Sequence, residues 1–217
     1  MRDENRQLLV AGLAEIGLAV PQDRVERLIG YHDFLLETNA QFNLTGYRDE
    51  RESVINNLLN SLAPHKHVLP LSSTADVGTG GGMPGLPLAI ALGMPKVALI
   101  ESKRKKCEFL KAACERFAPQ VDVLHADVNT VTRKFVQIVS SAYGSLEKLL
   151  SGTSRMRAPG CRLLAWKGRR ETIDAEIAAC LPAQREWAVV PFAVPGLPDT
   201  QRHLCIHTTA ARRKPAA

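Results

Sequence analysis

The chain has 217 residues, 45% hydrophobic and 23% charged, enough for a buried core and the size expected of one domain with an extension. No apolar run approaches the roughly 18–20 residues of a membrane span, and the opening Met1-Arg2-Asp3-Glu4-Asn5 lacks a secretory signal, so a cytoplasmic chain without a membrane partner is expected. A net charge of +6 favours a polyanionic partner, while five cysteines without a Cys-x-x-Cys pair read as buried free thiols and no metal site is expected.

The first 60 or so residues read as helical. Val25, Leu28, His32, Leu35 and Leu36 keep helical spacing behind Pro21. Asn39 to Gly46 interrupts that pattern with polar and turn residues. Val54, Ile55, Leu58, Leu59 and Leu62 then form one stripe, which predicts a further helix over about 50–62.

From Thr74 the texture changes to strand–helix alternation. Ala75-Asp76-Val77 reads as a strand, followed by a glycine loop and a helix over 85–92 that Pro84 begins. Strands are predicted at 96–100, 121–124, 135–139 and 161–166, with helices at 103–117, 145–154 and 172–180. Two closing strands, 187–194 and 203–208, have no helix between them. The expected fold is therefore α/β and Rossmann-like, a mostly parallel seven-stranded doubly wound sheet. Residues 1–66 form an N-terminal helical extension and 67–217 the core. The closing pair predicts one antiparallel strand at the sheet edge.

Basic residues cluster at Lys103-Arg104-Lys105-Lys106, Arg155 with Arg157, Arg169-Arg170 and Arg212-Arg213-Lys214. Gathered on one face, such clusters track phosphates. His32, His65, His67, His203 and His207 read as packing or surface residues, and Trp166 as structural. Small size and the lack of an apolar surface stripe point to a monomer.

The loop Gly78-Thr-Gly80-Gly-Gly82 carries the chemistry. Glycines let a flat or anionic ligand lie against the main chain, and the helix that follows points free amides toward it. Glu101 closes the next strand, where an acid accepts from ribose hydroxyls. Asp127 follows the third strand, where an acid accepts from an adenine amine. No lysine and hydroxyl follow the loop as a nucleoside triphosphate site requires. A nicotinamide dinucleotide remains an alternative, but Asp76 suits a ligand with a cationic amine and sulfonium. S-adenosyl-L-methionine is thus the expected cofactor.

On these residues the chain closely resembles the bacterial RsmG family, also called GidB or glucose-inhibited division protein B. The resemblance runs through Phe42-Asn-Leu-Thr45, Asp76 to Ile90, Glu101-Ser102 with Lys105, Phe109-Leu110, Ser140 to Leu146, Trp166-Lys167-Gly168 with Glu176-Ile177, and Arg202-His203-Leu204. It implies a methyltransferase acting on guanine N7 of 16S ribosomal RNA, with the small ribosomal subunit as partner. Cofactor contacts carry over to Gly78, Met83, Ala126, Asp127 and Ser141, beside Asp76, Gly80, Gly82 and Glu101. Tyr143, after the fourth strand, is the candidate for contact with the base. The family's usual arginines are replaced here by Ser141 and His125, and its His-x-x-Asp-Ser by Asn57-Leu-Leu-Asn60-Ser61. Those departures raise the alternative of a diverged paralogue that binds donor and RNA with weak, absent or retargeted methylation.

Overall fold

The structure, a computed structural model, describes residues 1–210, so the run Arg212-Arg213-Lys214 lies outside the described residues. Its centre is a seven-stranded sheet in the order β3-β2-β1-β4-β5-β7-β6. The strands are β1 (Thr74–Val77), β2 (Val97–Glu101), β3 (Val121–His125), β4 (Phe135–Ser141), β5 (Arg157–Lys167), β6 (Ala188–Pro191) and β7 (His203–Thr208). The first five pair in parallel, and every residue of β1 and β2 is buried, as expected of strands covered on both faces.

Alternation along β2 divides the core. Val97 and Leu99 pack on one side of the sheet, Ala98 and Ile100 on the other. On the first side lie α5 (Gly85–Leu92) and α6 (Arg104–Phe117); on the second, α7 (Leu146–Gly152) and α8 (Arg170–Ala179). All five cysteines are buried and unpaired.

The antiparallel strand is β7, and it is not at the edge. It lies between β5 and β6 and runs antiparallel to both. Burial explains the order: His203, Leu204 and Cys205 of β7 are buried, whereas no residue of β6 is, and β6 ends on Pro191, which has no N–H for a ladder.

The N-terminal helices share the first core rather than forming a separate one. Helix α2 (Gln22–Asn39) packs on α5 and α6, and Phe34 of α2 stacks on Phe109 of α6 with centroids 5.1 Å apart. Helix α1 (Asp3–Glu15) packs on the helix over residues 50–62. That last helix is not uniform. It is α-helical at α3 (Glu50–Ser53), wound as a π turn at Val54–Leu59, and α-helical again at α4 (Asn60–Leu62). Asp49 caps it by accepting from the Glu52 amide at 2.9 Å.

His32 is wholly buried against this helix, its Nε2 3.0 Å from Ser53 Oγ. Burial holds the imidazole down to about 4, against the pull of Asp33 and Glu50. The unfolded chain therefore takes up a proton that the folded one refuses between about pH 6.5 and 4. This stabilisation is complete above 6.5 and lost as pH falls, by about 3 kcal/mol. In urea denaturation His32→Gln should lose less stability than the parent between pH 7 and 4.5; equal acid slopes would refute that account.

Candidate functional site

The loop after β1 is built from its backbone outward. Gly78, Gly80 and Gly82 have φ of 66°, 61° and 110°, the left-handed region that side chains avoid. The Gly78 and Thr79 amides donate to the Ile100 carbonyl at 2.9 and 3.3 Å, tying the loop to β2. From beneath, Asp76 Oδ2 accepts from Thr79 Oγ1 at 2.6 Å and from the Gly85 amide at 2.7 Å. A β-carbon on Gly85 would stand 2.7 Å from both Asp76 Cβ and Oδ2, so only glycine lets α5 start this close to β1. From the side, buried Tyr31 of α2 donates to the Gly81 carbonyl at 2.6 Å, with Met83 Sδ 3.0 Å from the same hydroxyl.

Above the loop opens a cavity of about 580 Å³, a volume suited to a small organic ligand. The sheet contributes Gly78 to Gly81, Met83, Ser141, Ala142 and Trp166. The extension contributes Leu44 to Tyr47, Asn56, Asn57, Asn60 and Ser61. Lys106, Lys167 and Arg202 add cationic groups, and Arg48 lines an adjoining groove with Lys106. None of the residues lining the cavity is a histidine, cysteine, aspartate or glutamate. Among the described residues no group of three or more such side chains is placed to hold a metal ion.

The predicted site residues divide three ways. Gly78, Gly80, Met83 and Ser141 meet in the cavity. Asp76 and Gly82 are buried outside its lining, and the Asp76 carboxyl braces the loop. Its desolvation pushes the pKa up to about 7 despite the Thr79 and Gly85 hydrogen bonds. Glu101, Ala126 and Asp127 lie toward the β2–β3 side, again outside the lining. Glu101 Oε2 accepts from the Gly80 amide at 3.1 Å and Oε1 from the Lys103 amide at 2.8 Å. Asp127 is exposed and caps the turn at Val128–Thr130 by accepting from Asn129 N at 2.8 Å, which holds its carboxyl below the usual range. His125 contacts the Ser102 carbonyl at 3.1 Å.

Tyr143 falls between these groups and does not line the cavity. Its ring covers Gly78, where a β-carbon would come 2.5 Å from Cδ2, and Lys148 Nζ lies 5.1 Å from the ring centroid. The segment carrying it is strained, with Ala142 at φ 57° and Gly144 at φ 140°. A clamp holds it: Lys167 Nζ donates to the Gly144 carbonyl at 2.6 Å and to Glu176 at 2.7 and 3.0 Å, while Glu176 Oε2 accepts from the Leu146 amide at 2.8 Å.

The polar wall from Thr45, Asn57, Asn60 and Ser61 is not among the predicted site residues, although Asn57, Asn60 and Ser61 stood out as departures from the family pattern. Its signal in the sequence is the interruption of the buried stripe Leu58, Leu59 and Leu62 by amides on the same helix. Of the remaining histidines, His203 and His207 contact the carbonyls of Gly168 and Glu186 at 2.7 and 2.9 Å, as packing residues do.

The family model for GidB, described as rRNA small subunit methyltransferase G, matches residues 24–205. The chain is 36% identical over 201 residues to the ribosomal RNA small subunit methyltransferase G of Pseudomonas paraeruginosa, covering 91% of this chain and 92% of that one. It is 37% identical to the protein of the same name from Chromobacterium violaceum, over 90% and 94% of the two chains. In architecture it resembles a methyltransferase from Pyrococcus furiosus, with TM-score 0.60 and 17% identity over 88% of this chain and 100% of that one. A predicted O-methyltransferase from Agrobacterium tumefaciens gives a TM-score of 0.54 at 23% identity, over 71% and 80%. These two likenesses establish the Rossmann-like methyltransferase fold.

Proposed function

The chain belongs to the small subunit rRNA methyltransferase G family, and on that premise we propose that it transfers the methyl group of S-adenosylmethionine to guanine N7 in 16S ribosomal RNA, with the small ribosomal subunit in the cytoplasm as its substrate. One observation carries the acceptor chemistry: no side chain lining the cavity is a histidine, aspartate or glutamate, the usual general bases. Guanine N7 has a lone pair and no proton, so it needs none. The bound donor supplies a sulfonium methyl open to in-line attack. Everything else asked of the protein is positioning, and rigid alignment is worth several orders of magnitude in rate.

The residues fit that division of labour. Gly78, Gly80, Met83 and Ser141 hold the methionine half of the donor, with the positive-φ backbone admitting it closely. Glu101, Ala126 and Asp127 face the adenosine half, and Tyr143 borders it. Asp76 and Gly82 support the loop. Among the described residues, those from 67 onward form the donor-binding core, and 1–66 the extension that completes the cavity. Lys106 and Arg202 suit phosphate groups of an RNA. N7 is hidden in the deep groove of an RNA helix, so the target base enters splayed out.

Incubation with labelled donor and unmodified small subunits, followed by nucleoside analysis, is expected to give 7-methylguanosine. Label confined to protein, to small molecules or to another nucleoside would overturn the assignment.

A further inference from the structure

Four buried side-chain atoms among the described residues have no hydrogen-bond partner: Asn5 Oδ1, His32 Nδ1, Asn60 Oδ1 and Asp76 Oδ1. Only Asn60 of these residues lines the cavity. Its polar neighbours on the same wall are satisfied within the protein. Asn57 accepts from Thr45 Oγ1 at 3.2 Å and donates to Ser53 Oγ at 2.9 Å, and Ser61 Oγ donates to the Asn57 carbonyl at 2.6 Å. Asn60 is held in place through its main chain, its carbonyl accepting from Trp166 Nε1 at 3.0 Å. It also begins the α-turn that follows the π turn, a winding concentrated at functional sites. The Asn60 backbone is thus anchored while its carboxamide oxygen is unmet, and a buried acceptor without a donor is costly to leave so.

We propose that Asn60 Oδ1 accepts a hydrogen bond from the Watson–Crick edge of the acceptor base and so selects guanine. This rests on the guanine-N7 reading above. A purine presenting N7 to the donor turns its opposite edge away from the glycine loop. In guanine that edge carries the N1–H and N2–H donors; in adenine the N1 position is an acceptor and would face Oδ1 unfavourably. Asn60 comes from the extension, the other wall of the cavity from the Gly78–Gly80 backbone. The extension thereby contributes to recognition of the base, beyond covering the sheet.

The test compares the full chain with Asn60→Asp, which keeps an acceptor, and Asn60→Leu, which keeps the volume without one. Methyl transfer to unmodified small subunits and affinity for S-adenosylhomocysteine are measured in parallel with thermal stability. Asn60→Leu is expected to lose roughly 10–100-fold in kcat/KM, the order a site built around one hydrogen bond forfeits. Its affinity for S-adenosylhomocysteine should stay within about twofold, and Asn60→Asp should retain most activity. Unchanged transfer by Asn60→Leu overturns the proposal. Equal loss of S-adenosylhomocysteine affinity also overturns it, by assigning the amide to the donor. An unmutated chain that makes no 7-methylguanosine overturns the functional reading itself, and this inference with it.

Discussion

Asp76→Leu is expected to abolish donor binding, whereas Asp76→Asn keeps the fold and changes its response to pH. The carboxyl is wholly buried and serves two donors through one oxygen, Thr79 Oγ1 and the Gly85 amide. Leucine fills the volume and strands both. Each unmet buried donor costs about 1–3 kcal/mol, and the cost falls on the turn that gives Gly78 and Gly80 their shape. Loss of S-adenosylhomocysteine affinity by about 100-fold or more should follow, since a misplaced loop forfeits many contacts together. Asparagine retains an acceptor for the same donors. It also removes a titration. Because burial raises the Asp76 pKa to about 7, the folded chain holds a proton that the unfolded chain has released across the interval from about 3.8 to 7. The associated stability is complete below that interval and lost as pH rises through it, on the order of 4 kcal/mol in all. His32 titrates with the opposite sign, so the informative quantity is the difference between variant and parent. Urea denaturation at pH 5 and pH 8 should show Asp76→Asn gaining on the parent at the higher pH. No change in that difference would rule out a protonated Asp76.

The same residue marks how far the sequence could be read. The glycine loop, its flanking strand and helix, and the succession of strands and helices along the chain were legible because parallel strands are short apolar runs and helices keep their stripe. Asp76 was picked out by its position before the loop, but the direction of its carboxyl was not legible. All four residues of β1 are buried, so no alternation of polar and apolar positions tells which way a carboxyl points. The closing strands show a similar limit. Their pairing followed from the missing helix, but which one lies inside depends on the burial of His203, Leu204 and Cys205 against neighbours far away in the chain. Asn57 and Asn60 were noticed only as departures from a family pattern. A polar residue on a buried stripe marks a site once the helix is packed beside the glycine loop, and that juxtaposition joins segments about 20 residues apart through tertiary contacts alone.

Lys167→Met should cost stability and activity together, but through separable routes. Lys167 and Glu176 are 15% and 19% exposed, so their pairing is partly shielded from solvent. Breaking a fully buried pair costs about 3–5 kcal/mol; with this exposure about 2 kcal/mol is expected. The activity loss comes from Gly144. Its carbonyl accepts from Lys167 Nζ, and it ends the strained segment in which Ala142 has φ 57°. Without that anchor the segment relaxes, and Ser141 and Tyr143 leave their places at the cavity and over Gly78. A fall of roughly 10–100-fold in methyl transfer is expected, with weaker S-adenosylhomocysteine binding. Glu176→Gln separates the two routes. It still accepts from the Leu146 amide and leaves Lys167 free to hold Gly144, so it should lower stability with little loss of transfer. A double-mutant cycle of Lys167→Met and Glu176→Gln should then show coupling in stability of about 1–2 kcal/mol and almost none in activity. Equal activity losses in the two single variants would mean that the ion pair, and not the Gly144 anchor, sets the geometry of the segment.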